Sequence, residues 1–352
     1  MLHMILAVCL STLMLACTGA SGSDPVSVGS APSTPTSDGG GARYEIGFLS
    51  GRELRRPSNL ILLSGESVLD VDSGRAQPVS GLPRHNDQTA WGFSAGDQAF
   101  IQIDCSACSS PEVFGLDGSL GQATSIGYGF AAPADDGIWF TKFLTDSTCL
   151  LMKTTLSGAT LIQERPFECG FTLVEHSSLV LVAFATDGTW AFIDPNTLES
   201  SFTAPKILGV IGERILVSDQ SGVALVDPAS DSETRTLLPT EVGQPSYGVP
   251  SPDGKVVAIS FEHPAWPGPR QRMDVWLLEV DTMEWSRLPS MPIAAALKAT
   301  DLDWTPDGRL VIFGSFEDVG HAIAVWEPGQ TELEILVTQF DPTGSLVANT
   351  TN

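Results

Sequence analysis

The chain has 352 residues, with 42 acidic against 18 basic side chains and a formal charge of −24. A surface of that sign repels phosphate backbones and anionic headgroups, which argues against nucleic-acid binding and peripheral membrane adsorption. Gly (34) and Pro (24) are plentiful and no long stretch repeats its apolar residues at a helical period, so the composition leans to an all-β chain long enough to bury a core.

The first 17 residues carry no Lys, Arg, Asp or Glu, and Met4 to Ala16 form a largely apolar run of 13 residues. That is too short to span a bilayer but suits the apolar region of a signal peptide. The run ends in Leu13-Met14-Leu15-Ala16-Cys17, which resembles the lipobox of bacterial lipoproteins. The resemblance implies that residues 1–16 are removed and that Cys17 is diacylated as the new N-terminus; an ordinary secretory signal is the alternative. Thr18 to Arg43 are mostly Gly, Ser, Thr and Pro, a composition that cannot bury a core. Residues 17–43 are therefore expected to be a lipidated cysteine and a flexible tether with a reach of roughly 28 Å. Two acyl chains would make the attachment stable, so the membrane is met only through the anchor.

From Tyr44 the sequence repeats at an uneven period of about 40 residues. One register is a strand that closes on an acidic or small turn residue: Ser67 to Asp72, Glu112 to Asp117, Cys149 to Thr155, Thr189 to Asp194, Gly222 to Asp227, Asp274 to Asp281 and His321 to Glu327. An apolar strand precedes each: Leu60 to Leu63, Ala99 to Ile103, Ile138 to Phe143, Leu179 to Phe184, Arg214 to Val217, Lys255 to Phe261 and Leu310 to Ser315. Strand, tight turn and strand make hairpins, and four-stranded units at this spacing without helices predict a seven-bladed β-propeller over residues 44–340. Residues 341–352 form a C-terminal tail. Either Tyr44 to Leu49 or Leu346 to Thr350 is expected to supply the strand that ties the last unit to the first.

Two turns, Ser251-Pro252-Asp253-Gly254-Lys255 and Thr305-Pro306-Asp307-Gly308-Arg309, resemble the WD40-like repeats of TolB-type propellers. The resemblance implies the fold and leaves function open, because that architecture hosts many roles. The α/β domain that precedes the propeller in TolB has no counterpart here, so a role in the Tol system does not carry over.

Strand direction alternates within each unit, so the connections between second and third strands share a face with those entering each first strand. Cys105, Cys108, Cys149 and Cys169 fall on this face. Four exported cysteines most simply form two disulfides, Cys149 with Cys169 and Cys105 with Cys108; a zinc site of four thiolates and a redox-active Cys105-Ser106-Ala107-Cys108 are the rivals. The longest insertion, Glu262 to Gln271, lies there too. Three prolines stiffen it, and His263, Trp266, Arg270 and Arg272 bring an aromatic and positive charge to an acidic protein, as a recognition loop would. Tyr128, Tyr247, His85, Glu317 and His321 are placed on the same side.

Asp117, Asp187, Asp253 and Asp307 each precede Gly, where a turn explains them. Asp301 and Asp303 share one strand face near the channel and are the pair to test for a structural cation; no other cofactor is indicated. No G-x-S-x-G elbow, H-E-x-x-H helix or P-loop occurs. The first functional expectation is a non-enzymatic binding module that meets a protein or cell-envelope component through its loop-rich face. The second is a secreted hydrolase or lyase with its site in the central channel.

Overall fold

The computed structural model describes residues 46–351 except 96–97, 107, 109, 135, 144–147, 157–160, 169–172, 177–178, 184–189, 205, 231, 241, 262–270, 296–300 and 343–344. The expected signal peptide, Cys17 and tether lie outside the described residues. All named elements are β-strands, and among the described residues no helix is long and apolar enough to cross a membrane.

A short strand, β1 (Gly51–Glu53), precedes a series of antiparallel meanders. β2 (Leu60–Ser64), β3 (Ser67–Asp70) and β4 (Arg75–Pro78) begin the first. β5 (Thr89–Ala95), β6 (Gln98–Asp104), β7 (Glu112–Leu116) and β8 (Ala123–Tyr128) make the second. β9 (Phe130–Pro133), β10 (Gly137–Phe143), β11 (Thr148–Thr155) and β12 (Leu161–Glu168) follow, then β13 (Leu173–His176), β14 (Leu179–Ala183), β15 (Trp190–Ile193) and β16 (Ser200–Ala204). The next is β17 (Ile207–Ile211), β18 (Arg214–Asp219), β19 (Gly222–Asp227) and β20 (Ser232–Thr236). β21 (Pro245–Pro250), β22 (Val256–Phe261), β23 (Gln271–Glu279) and β24 (Glu284–Arg287) are joined through β25 (Ile293–Ala295) to the last, β26 (Asp301–Trp304), β27 (Leu310–Phe316), β28 (Gly320–Trp326) and β29 (Leu333–Val337). β23 starts three residues earlier than its sequence pattern suggested, because Gln271 to Met273 pair with β25.

Closure comes from the C-terminus. β30 (Leu346–Thr350) pairs antiparallel with β2, Leu60 opposite Thr350 and Ser64 opposite Leu346. Of the two segments the sequence offered, this one enters the first sheet, so part of the expected 341–352 tail belongs to the folded domain. The N-terminal segment does something else. Gly47 bridges Ile293, and β1 lies parallel on the outer edge of β29. Gly51 permits that approach: a Cβ there would stand 2.1 Å from the Leu333 carbonyl oxygen, far inside contact distance. Arg52 and Arg55 then converge on the buried carboxylate of Glu334, with Arg52 Nη2 at 2.6 Å and Arg55 Nε at 2.5 Å from Oε1.

The first strands of the meanders touch in cyclic order, β5, β9, β13, β17, β21, β26 and β30, with β30 returning to β5. This arrangement is propeller-like. Burial falls outward as it should: in the first sheet β2 is wholly buried, β3 partly, and β4 (Arg-Ala-Gln-Pro) is exposed along its length. The apolar runs Leu60 to Leu63 and Leu310 to Phe313 are covered on both faces by neighbouring sheets, which is why they do not alternate. Leu60, Leu62 and Leu69 pack with Val311, Phe313 and Ile323 and with Leu346 and Ala348 of β30, so the junction of last sheet to first is as apolar as the others.

The two Pro-Asp-Gly turns share one hydrogen-bond plan. Asp253 accepts from Ser251 Oγ at 2.8 Å and from the Lys255 amide at 3.2 Å, while Ser251 Oγ accepts from the Val256 amide at 3.0 Å. In the last meander Thr305 Oγ1 donates to Asp307 and accepts from the Arg309 amide at 3.0 Å. Gly254 (φ 67) and Gly308 (φ 85) take the left-handed position.

Deleting residues 346–352 should abolish cooperative urea unfolding, since β2 loses its partner on the axial side and three buried side chains leave the core. Gly51→Ala, which displaces only the outer strand, should cost about 1–3 kcal/mol and leave a single transition.

Candidate functional site

Because β5 and β6 are antiparallel, Cys105 after β6 lies at the end of the strands opposite the β5–β6 turn. Call these the loop end and the turn end. At the loop end Cys105 and Cys108 form a disulfide with Cα atoms 5.1 Å apart, and the Cys108 amide donates to the Cys105 carbonyl at 3.0 Å. While that bond stands, neither of these two sulfurs is available as a thiolate. Cys149 is the second residue of β11, at the same end and opposite Phe167; its pairing with Cys169 lies outside the described residues. So do His263, Trp266 and Arg270, and of Arg272 only the backbone is described, opposite Ala294.

His85, in the connection from β4 to β5, is exposed, and a ring nitrogen lies within 4.8 Å of both Cys105 and Cys108 sulfurs. Tyr128 is exposed at the end of β8, and the charge of Glu112 beside it raises its hydroxyl above the ordinary phenol range. Glu317 is exposed and His321 half-buried, the latter with Nδ1 2.7 Å from Ser315 Oγ and Nε2 3.7 Å from Asp341. Tyr247 is different. It turns inward and donates to Asp301 Oδ1 at 3.1 Å, and burial drives its hydroxyl well above the phenol range.

Asp301 and Asp303 do lie on one face of β26, and that face meets β30. Leu346 N donates to Asp301 Oδ2 at 2.8 Å and Ala348 N to Asp303 Oδ2 at 2.9 Å. The remaining oxygens accept from Leu302 N at 2.9 Å and Trp304 N at 2.8 Å. All four carboxylate oxygens thus receive N–H donors. The alternate amides of β30 that its ladder to β2 leaves over are the ones captured, so the pair acts as the latch of the ring. Burial raises both carboxyl groups, Asp303 to about 7, against the amides that lower them.

At the turn end two cavities open along the axis. The larger, about 660 Å3, reaches from Ala95, Pro133 and Pro250 at the turn end to Ile207 and Trp190 toward the loop end, with Val174, Glu175 and Glu213 also in its lining. The second, about 410 Å3, is lined by Pro250, Pro252, Asp303, Trp304 and Ala348 among others. Glu175 Oε1 and Asp136 Oδ1 both pair with Lys153 Nζ, at 2.9 and 2.7 Å, and that ammonium also lies 5.1 Å from the Trp139 ring centroid. The sequence pattern did not pick out this end. Its residues come from separate sheets with no common local motif; a hint was the Pro that ends two of the first strands, Pro133 and Pro250.

No family model matches the chain. A stretch of 58 residues is 33% identical to the Tol-Pal system protein TolB of Nitratidesulfovibrio vulgaris (strain Hildenborough), covering 16% of this chain and 12% of that protein. A prolyl endopeptidase structure superposes with TM-score 0.53 at 11% identity over 79% of this chain and 48% of that one. Prolyl oligopeptidase B from Galerina marginata gives 0.50 at 8% over 77% and 46%, so the chain spans about half the length of both. A chain of the mitotic checkpoint complex gives 0.50 at 10% over 85% and 98%. At these identities what is shared is the fold. The fold is propeller-like.

Asp303 holds a proton in the folded state that the unfolded chain releases near pH 4, so its contribution to stability is complete below that pH and is lost as pH rises through about 7. Thermal melts from pH 5 to 8 should show the wild type losing stability relative to Asp303→Asn as pH rises, with parallel curves as the contrary result.

Proposed function

We propose that this chain is an exported, seven-bladed TolB-like β-propeller, hung from the membrane by acylated Cys17, that binds a protein or cell-envelope component through its loop end without catalysing a reaction. The observation that carries this reading is how the polar side chains divide. Near the axis, Asp301, Asp303 and Tyr247 are spent on closing the ring. At the loop end Tyr128, His85 and Glu317 remain exposed, and the residue pattern assigns the proline-rich insertion with Trp266 and Arg270 to the same face. Exposed aromatic and cationic side chains on loops held by a rigid scaffold are the usual material of a recognition face. The TolB stretch supports an envelope location, and the short tether after Cys17 would hold such a face clear of headgroups.

A second reading, a hydrolase or lyase acting in the channel, draws on the axial cavity of about 660 Å3, a volume suited to a small ligand. Of its acidic wall residues Glu175 and Glu213, Glu175 is held by Lys153, which favours a structural role for that carboxylate.

Crosslinking on intact cells separates the two. Trp266→Ala and Tyr128→Ala should each reduce the yield of the captured partner at least about 10-fold, the loss expected of a hot-spot aromatic, while Trp190→Ala in the wall of the axial cavity leaves it unchanged. Capture sensitive only to Trp190→Ala would move the site to the channel.

A further inference from the structure

The pair of loops that meets at the second sheet brings together three ligands of different kinds. His85 comes from the connection between β4 and β5, Cys105 and Cys108 from that between β6 and β7, and one ligand atom from each lies within 4.8 Å of the others. Ser106 Oγ donates to Asp87, which ties the two loops to each other, and the Cys108 amide bonds the Cys105 carbonyl, which keeps both sulfurs on one side of the turn. Cys105 is buried while Cys108 is half-buried and His85 exposed, so the cluster has a dry floor and an open mouth.

A disulfide of sequence separation 3 closes so short a loop that it restrains the unfolded chain little. A structural staple therefore leaves the position of His85 unaccounted for. Two thiolates and an imidazole are, however, the donor set that selects thiophilic d10 cations, in the Cys2His combination that leaves one position open on zinc or completes a trigonal set on Cu+.

We propose that His85, Cys105 and Cys108 form a redox-gated site for a thiophilic d10 cation, shut while the disulfide stands. Opening requires an external two-electron reductant; with a dithiol, the first thiolate attacks one sulfur, the S–S bond breaks, and the second thiolate resolves the mixed disulfide. Two electrons pass to the protein sulfurs, and the dithiol leaves as a disulfide. Each thiol then loses its proton to solvent as the metal–sulfur bond forms, and neutral His85 adds a nitrogen lone pair. The inference is independent of what the propeller binds elsewhere.

The test uses the full chain, oxidised and after anaerobic reduction with a phosphine. Zn2+ is titrated against a chromophoric chelator, and Cu+ against bathocuproine disulfonate in a parallel arm. The Cys105→Ser/Cys108→Ser variant retains the remaining cysteines and so measures their background; circular dichroism checks that each variant is folded. The reduced protein should take up one equivalent of at least one ion more than this variant, the oxidised protein none. His85→Ala should weaken that uptake about 10-fold or more. Equal uptake by oxidised and reduced protein, uptake retained in the double-serine variant, affinity unmoved by His85→Ala, or no uptake in either arm would each overturn the proposal.

Discussion

Two backbone amides of the last strand, caught by two carboxylates of the strand beside it, hold the architecture shut. Any ring of sheets built from one chain has a seam, and a seam leaves N–H groups that the neighbouring ladder does not use. β30 repairs the first sheet through its pairing with β2, and its left-over amides at Leu346 and Ala348 are spaced two residues apart. Asp301 and Asp303 have the same spacing on β26, so two periods of two coincide across the junction. A buried carboxylate is costly to keep charged, which the elevated Asp303 reflects, but leaving both amides unsatisfied in that position is also unfavourable.

This seam explains how the two ends of the molecule come to differ. At the turn end two first strands finish in Pro133 and Pro250, and polar side chains there are engaged within their own tight turns, as in Ser251 with Asp253 and Thr305 with Asp307, or with Lys153. At the loop end the connections are longer and less regular, and they carry the disulfide, the exposed Tyr128 and His85. The scaffold's stability rests on apolar packing between sheets, so loop-end residues are free of that duty and available for recognition.

Much of this fold was legible in residues alone. Each second and third strand expected from the apolar runs and their closing turns has a counterpart, because a buried middle strand writes a continuous apolar stretch that a loop cannot imitate. First and outer strands were harder. β4 and β20 are short, polar and exposed, and they look like connections until their partners are known. The role of β1 was invisible for another reason: Gly51 and the Arg52 and Arg55 pairing with Glu334 join residues about 280 positions apart. The Asp301 and Asp303 pair was singled out correctly as a face, but its donors are main-chain amides of a distant strand, which no side-chain motif announces. Likewise the sequence placed His85 and the cysteines on one side without indicating that a ring nitrogen comes within 4.8 Å of both sulfurs.

The claim that most needs direct measurement is that β30 is an integral strand held by the two aspartates. Native-state hydrogen exchange on the Leu346 and Ala348 amides reads it residue by residue. The account predicts that both exchange as slowly as the amides of β2 and β27, only through global unfolding, with the same denaturant dependence. Exchange of Leu346 and Ala348 orders of magnitude faster than β2, insensitive to denaturant, would show that the last strand comes and goes while the rest stays folded, and would contradict it.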